Sequence, residues 1–164
     1  MLRRNELMAK TFNDLIADAL TQGVKEIFPW DVEDFQTENP DTVLLDIREP
    51  DEFDGAHIEN SIHVPRGILE QACEWDYAET IPELVNARKK PVLVICRSGN
   101  RSVLAGLTLL ALGFENITSL KTGVKGWNDS DSPLIDKTGA DADADWADGF
   151  FNPPVRDDQL SENQ

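Results

Sequence analysis

Apolar positions along the chain follow two distinct rhythms. Within residues 8–22, Phe12, Leu15, Ile16, Ala19 and Leu20 recur at helical spacing, and Gly23 stands where such a helix would end. A second rhythm consists of short unbroken apolar runs. Val24–Phe28 is a short strand candidate, and Val43-Leu44-Leu45-Asp46-Ile47 a strand with an acid near its exit. Ile62-His63-Val64, Val92–Ile95 and Ile117–Leu120 complete the set. Helical segments fall between them. Asp31 is placed to cap a helix running to about Glu38, which Asn39-Pro40 stops. Pro50–Phe53 reads as one helical turn closed by Gly55, and residues 67–89 as two helices joined near Asp76–Pro82. Ser102–Leu112, stopped by Gly113, is apolar nearly all round, and Gly123–Asn128 turns into a short helix carrying Trp127.

Strands that are continuously apolar and alternate with helices predict an α/β fold, a central parallel five-stranded sheet with helices on both faces. Sites in such folds form at the carboxyl ends of strands, where Asp46 and Cys96 both stand. From Asp136 the composition turns to Asp, Ala, Asn and Pro. The expected organisation is a helical extension over 1–23, the α/β domain over 24–132 and an acidic C-terminal tail over 133–164.

The 164 residues suit one domain with a real core. No apolar run is long enough to span a bilayer. The basic start Met1–Leu7 leads into no apolar stretch, so no secretory signal is expected. Two cysteines without paired spacing point away from a disulfide scaffold or a zinc site and toward a reducing cytoplasm. A net charge of −16 opposes nucleic-acid binding, which needs cations to neutralise phosphates. From Asp129 onward there are ten acids and two bases. That half of the excess is expected to act as a solvated, solubilising tail, or to steer a basic partner. Asp141, Asp143, Asp145 and Asp148-Gly149 hint at a calcium loop, but Trp146 and Asn152 stand where an EF-hand needs Gly and Glu, so no metal is expected. Trp146, Phe150 and Phe151 are unusual for a disordered tail and are expected to fold back onto the domain.

The chemistry concentrates in Cys96-Arg97-Ser98-Gly99-Asn100-Arg101-Ser102. A cysteine at a strand's end, before a tight loop and a helix N-terminus, sits where backbone N–H groups can converge on one point. Those donors, the helix dipole and two guanidinium groups all favour S⁻ over SH, so a reactive sulfur is expected at Cys96. Arg101 is expected either to attract substrate or to brace the loop in an ion pair with Asp46 or Glu49. Asp46 and Arg48 are expected to fix the loop by side-chain hydrogen bonds. His57 and His63 lack partner spacing for acid–base work, and Cys73, in no C-x-x-C motif, reads as an ordinary helix residue in preference to a resolving thiol.

Three stretches together resemble the rhodanese-like sulfurtransferase family in its single-domain form. They are Asp46–Phe53 with Gly55–Pro65, the loop Cys96–Ser102, and Leu120–Trp127. The resemblance covers about residues 24–130; the family usually has Gly where Lys121 or Thr122 stands. It implies that Cys96 takes a sulfane sulfur from a small anionic donor such as thiosulfate, becomes a persulfide, and passes the outer sulfur to cyanide, a thiol or a sulfur-carrier protein, without any cofactor. Backbone N–H groups from Arg97, Ser98, Gly99, Asn100, Arg101 and Ser102 would cradle that sulfur, and Arg97 and Arg101 would attract the donor. A phosphatase or arsenate reductase of related fold would close its loop on an Arg six positions after the Cys. Here Ser102 holds that place and Arg101 comes one residue early. A non-catalytic binding module using the acidic tail is the non-enzyme alternative, and the intact Cys96 and both arginines count against it.

Overall fold

The structure is a computed structural model and describes residues 9–161. Met1–Leu7, the start read as lacking a secretory signal, lies outside the described residues. The elements run α1 (Phe12–Thr21), β1 (Lys25–Ile27), α2 (Val32–Glu38), β2 (Val43–Asp46), α3 (Pro50–Gly55), β3 (Ile62–His63), α4 (Leu69–Ala72) and α5 (Pro82–Val85), then β4 (Pro91–Ile95), α6 (Asn100–Ala111), β5 (Asn116–Leu120), α7 (Gly123–Asp129) and α8 (Ala144–Phe151). The five strands form one sheet in the order β1-β5-β4-β2-β3, and every pairing is parallel.

Side chains on a strand alternate between its two faces, so each apolar run feeds two cores. Val43, Leu45, Val92, Val94 and Ile117 point to one face and pack against Leu69, Ala72, Leu84, Ala105 and Leu109 from α4, α5 and α6. Leu44, Leu93, Ile95 and Leu120 point to the other and meet Val32 of α2 and Val124 of α7. The continuous hydrophobicity of β2 and β4 is thus explained by burial on both faces. Helix α1 adds an outer layer: Ala19 is buried, and Ile16 and Leu20 pack against α6. Phe12 and Leu15, on the same predicted stripe, remain about half exposed.

Two expectations need correction. Asp31 stands at the N-cap of α2, but its side chain caps nothing. It ends a 3-10 turn over Pro29–Asp31, so its backbone is already helical rather than in the extended conformation that side-chain capping uses. Nor does the core stop at residue 132. Leu134, Ala147 and Phe151 are buried on the face that carries Leu44, Leu93 and Ile95, with Ala142 and Phe150 packed beside them. The segment is stitched down by an antiparallel bridge from Ile135 to His57 and another to Asp141, and Asp143 caps α8 by accepting the Trp146 N–H at 2.8 Å. The aromatic residues fold back as expected. The acids face outward and leave a strip of apolar positions that completes the second layer.

Beneath the sheet's carboxyl edge, Thr122 adopts φ 66°, a left-handed conformation that costs a non-glycine residue roughly 1–2 kcal/mol. The resemblance leads one to expect a glycine at this position or at Lys121. The Thr122 hydroxyl lies over Gly126, where even a single added carbon would collide with it. Thr122→Gly is expected to relieve the strain. After the entropic cost of a glycine, a net gain of about 0.5–1 kcal/mol should appear as a rise of about 1–4 °C in Tm by calorimetry. A fall would mean that the hydroxyl's packing outweighs the strain.

Candidate active site

Strand β4, the central strand, delivers Cys96 to the carboxyl edge of the sheet, and α6 leaves from the same point. Its side chain is almost fully enclosed, 1% exposed. The backbone N–H groups of Gly99 and Ser102 both donate to Sγ, at 3.1 and 3.3 Å. The Ser102 hydroxyl lies 3.2 Å from the sulfur and 2.7 Å from the Ser119 hydroxyl behind it. A sulfur anion here would accept from two amides and one hydroxyl, with Ser119 supporting the hydroxyl. Asn100 and Arg101, in the first turn of α6, present further amides without intrahelical acceptors.

The loop can curl this tightly for two backbone reasons. Gly99 has φ 90° and approaches the Thr122 amide so closely that a side chain would meet it at 2.8 Å. Gly123 runs directly under the loop, with no room for a Cβ: it would stand 2.4 Å from the carbonyls of Cys96 and Arg97. Those carbonyls are in turn fixed by the amides of Val124 and Lys125, at 2.9 and 3.0 Å. Helix α7 therefore holds the loop from below.

Arg101 is braced, but not by the acid expected. Its two terminal nitrogens donate to the two carboxylate oxygens of Glu52, each at 2.8 Å, in a fork that matches carboxylate geometry. Glu49 lies at the start of α3 and Asp46 is committed to Arg48, so Glu52, on the helix's first turn, is the acid that reaches. Arg97, by contrast, is partly exposed and engages no acid among the described residues. The side chains of Ser98 and Asn100 face outward and are exposed.

Asp46 and Arg48 form a fully buried ion pair, with Arg48 Nη2 at 2.7 Å from the Asp46 carboxylate. Arg48 also donates to the carbonyls of Glu52 and Ala56. The pair organises the turn that presents Glu52 and so acts on the loop through Glu52 and Arg101, not by direct contact. His57 and His63 stack on opposite sides of Phe53, at ring separations of 3.8 and 4.3 Å, and each ring bonds a backbone carbonyl. They pack the same turn. Cys73 is buried in the helical layer, and burial pushes its thiol up to about 11, which suits an inert core residue.

Partial burial tends to raise the Glu52 carboxyl. Hydrogen bonds from Arg101 and the Glu49 N–H, with the charges of Arg101 and Arg48, outweigh it and hold the group below its ordinary value of 4.5. A carboxyl lowered on folding stabilises the protein above its unfolded value, and that contribution is lost as pH falls through the folded one. Glu52→Gln should cost less than about 1 kcal/mol at pH 7, the pair being partly solvated. Its stability should fall less steeply below pH 4.5 than that of the parent. Denaturant melts at pH 7 and pH 3.5 check this, and parallel acid limbs would show that Glu52 contributes nothing to the slope.

Residues 31–130 match the model of the rhodanese-like domain. The chain belongs to the rhodanese-like family. It is 33% identical over 88 residues to the thiosulfate sulfurtransferase GlpE of Tolumonas auensis, an alignment covering 54% of this chain and 74% of that protein. The polysulfide-sulfur transferase homodimer of Wolinella succinogenes superposes with a TM-score of 0.57 at 30% identity, over 76% of this chain and 87% of that one. A Rhodopseudomonas palustris protein of unknown function, for which tyrosine phosphatase activity has been suggested, superposes with a TM-score of 0.69 at 22% identity, over 77% and 96% of the two chains. At that identity the likeness shows the fold alone. The rhodanese-like match spans the whole loop and both helices that hold it, and among the described residues no helix is long and apolar enough to cross a membrane.

Residues that the sequence reading passed over are Glu52, Ser119 and Gly123. Ser119 could have been found as a hydroxyl inside an otherwise apolar strand end, Gly123 as the glycine that opens α7.

Proposed function

We propose that this rhodanese-like protein is a sulfurtransferase that carries sulfane sulfur as a Cys96 persulfide. The observation that carries the reading is the convergence of the Gly99 and Ser102 amides and the Ser102 hydroxyl on one buried sulfur. Such a cradle brings three hydrogen-bonding groups to one sulfur position at a strand's end.

The chemistry follows in two substitutions. The Cys96 thiolate attacks the sulfane sulfur of thiosulfate; a new S–S bond forms, the donor's own S–S bond breaks, and sulfite departs with the electron pair. The outer sulfur, anionic and about 2.05 Å beyond Sγ, lies in the mouth of the loop. Amides of the first turn of α6 face it there. An acceptor thiolate or cyanide then attacks it and restores the Cys96 thiolate. Both steps are two-electron displacements and need no oxidant or cofactor.

Donor capture falls to Arg97. Thiosulfate is a dianion approaching a chain of net charge −16, so Arg97, next to Cys96 in the chain and without a carboxylate partner among the described residues, supplies the local attraction. Arg101, already paired, holds the loop's shape. Two free thiols, one of them required by the mechanism, support a reducing compartment such as the cytoplasm as the setting of the activity. Incubation with thiosulfate should add about 32 Da to the intact protein, and cyanide should remove it. An unchanged mass with thiosulfate, polysulfide and persulfide donors alike would overturn the assignment.

A further inference from the structure

A groove of about 520 Å³ runs between α2 and α7, and none of its walls belongs to the sulfur loop. Two tryptophans and two prolines make its apolar surface. Pro29 and Trp30 precede α2, Trp127 lies on α7 and Pro133 follows it. Trp30 is 64% exposed, an unusual place for so large an apolar side chain. The indole is nevertheless held. It stacks on Phe28 with ring centres 4.4 Å apart, and the Lys121 ammonium lies 5.0 Å over Phe28. Trp127 is fixed differently: it packs against the second core and donates its indole N–H to the Pro133 carbonyl at 2.9 Å. Both aromatic faces are therefore in position before anything binds, and little side-chain freedom remains to be lost.

The polar groups of the groove are donors and an acid, with no base among them. Neither the Trp30 indole N–H, the Gln36 amide nor the Ser132 hydroxyl bonds to another described residue. Glu33 joins no ion pair among the described residues. Nor do Asp31, next to Trp30, or Asp129 and Asp131, between Trp127 and Ser132. All four acids are exposed. Rings, unused donors and uncompensated acids together fit a ligand with flat apolar edges, free carbonyls and positive charge. An extended proline-containing backbone has the first two, because proline has no N–H and the polyproline conformation leaves its carbonyls unpaired. A lysine or arginine in the same segment supplies the third.

We infer that this groove docks a basic, proline-containing segment of a partner protein in the extended polyproline conformation. Its prolines lie against Trp30 and Trp127, its carbonyls accept from the Trp30 indole and Gln36, and its basic side chain meets Glu33. The surface recruits a protein and takes no part in the chemistry at Cys96. Charge decides the occupant. This chain has an exposed Pro153-Pro154 pair of its own with Arg156 close behind, but Asp157 and Asp158 follow. Two copies carrying −16 each also repel. A basic partner is attracted where a second copy is resisted.

The test uses the full chain, labelled with nitrogen-15, and the synthetic peptide (Pro-Pro-Arg)3 as the probe. (Gly-Ser-Arg)3 and (Pro-Pro-Glu)3 serve as comparisons. The chain has four tryptophans, and Trp30→Phe, Trp75→Phe and Trp146→Phe assign their indole N–H signals, the fourth being Trp127. The probe should move the Trp30 and Trp127 signals and leave those of Trp75 and Trp146, which are half exposed but outside the groove. The glycine–serine peptide should bind at least about fivefold more weakly, and the acidic peptide not at all. Trp30→Ala should weaken binding of the probe at least about tenfold. Glu33→Gln should weaken it about 2–5-fold, less as salt is raised. Thermal melts confirm that both variants fold, and thiosulfate:cyanide turnover should match the parent in each. Equal binding of the two basic peptides would reduce the groove to an acidic surface and overturn the proposal. So would shifts confined to Trp75 or Trp146, binding unchanged in both variants, or no binding up to about 5 mM peptide. Self-association of the parent that Trp30→Ala abolishes would give the groove to a second copy and overturn it as well.

Discussion

Cys96→Ser is expected to lower sulfur transfer at least a thousandfold while the protein folds as before. The expectation follows from what the site asks of that atom. The nucleophile must be ionised at neutral pH and must then hold a second sulfur through a bond weak enough to be broken by the next nucleophile. A serine hydroxyl stays protonated in the same cradle, and an oxygen–sulfur bond offers no comparable carrier. Structurally the exchange is mild. The side chain is enclosed but small, its neighbours are Ser102 and two backbone amides that can also satisfy an oxygen, and stability should move by less than about 1 kcal/mol. Thiosulfate:cyanide turnover and a thermal melt on the same preparation separate the two effects. Turnover near the parent level would remove Cys96 from the mechanism. A collapsed melt would leave activity uninterpretable, and in that case Ser102→Ala, which deletes only the hydroxyl, should still slow loading of the intact cysteine.

How much of this was legible beforehand depended on whether the deciding contact was local. The strands announced themselves because β2 and β4 are buried on both faces, so every residue of Val43–Asp46 and Val92–Ile95 had to be compatible with a dry interior. The sulfur loop was legible for the same kind of reason: a strand end, a glycine with positive φ and a helix start are consecutive in the chain, and the cradle is built from their own amides. The partner of Arg101 was not. Asp46, Glu49 and Glu52 are three acids in one short stretch, and choosing among them requires knowing that Asp46 is consumed by Arg48 and that the first turn of α3 lifts Glu52 toward the loop. That is a question of orientation across 49 residues of separation. The Asp31 cap failed because the preceding proline sets a 3-10 turn that removes the extended backbone a cap needs. The reach of the last segment into the core was hidden by composition. Ten acids after residue 128 dominate any average, whereas burial is decided by four apolar positions spaced so that they share one side. The signal was there in Asp143 three residues before Trp146, followed by Ala147 and Phe151 one helical turn apart.

Phe151→Ala therefore carries the second large expectation. In an acidic solvated tail the substitution would be silent. In the structure Phe151 is 3% exposed and packs with Ala147, Leu134, Leu44 and Ile95 on the second face of the sheet. Its ring also lies 6.0 Å from the Arg48 guanidinium, so it helps to keep water from the buried Asp46–Arg48 pair. Deleting a buried phenylalanine leaves a cavity costing about 3–5 kcal/mol. The last helix can shift to fill part of it, which puts the expectation at about 3 kcal/mol. For a chain of this length that is a fall of roughly 6–12 °C in Tm. Leu160→Ala, half exposed beyond α8, should stay within about 0.5 kcal/mol of the parent and serves as the control. The sulfur site is held by α6 and α7, not by α8, so Phe151→Ala protein that is still folded at 25 °C should load sulfur from thiosulfate. Truncation after residue 133 goes further, since it strips Leu134, Ala142, Ala147 and Phe151 together and bares the apolar face of the sheet. A truncated chain that melts with the parent would return the segment to the status of a tail. An unstable chain would fix the end of the folded unit near residue 151.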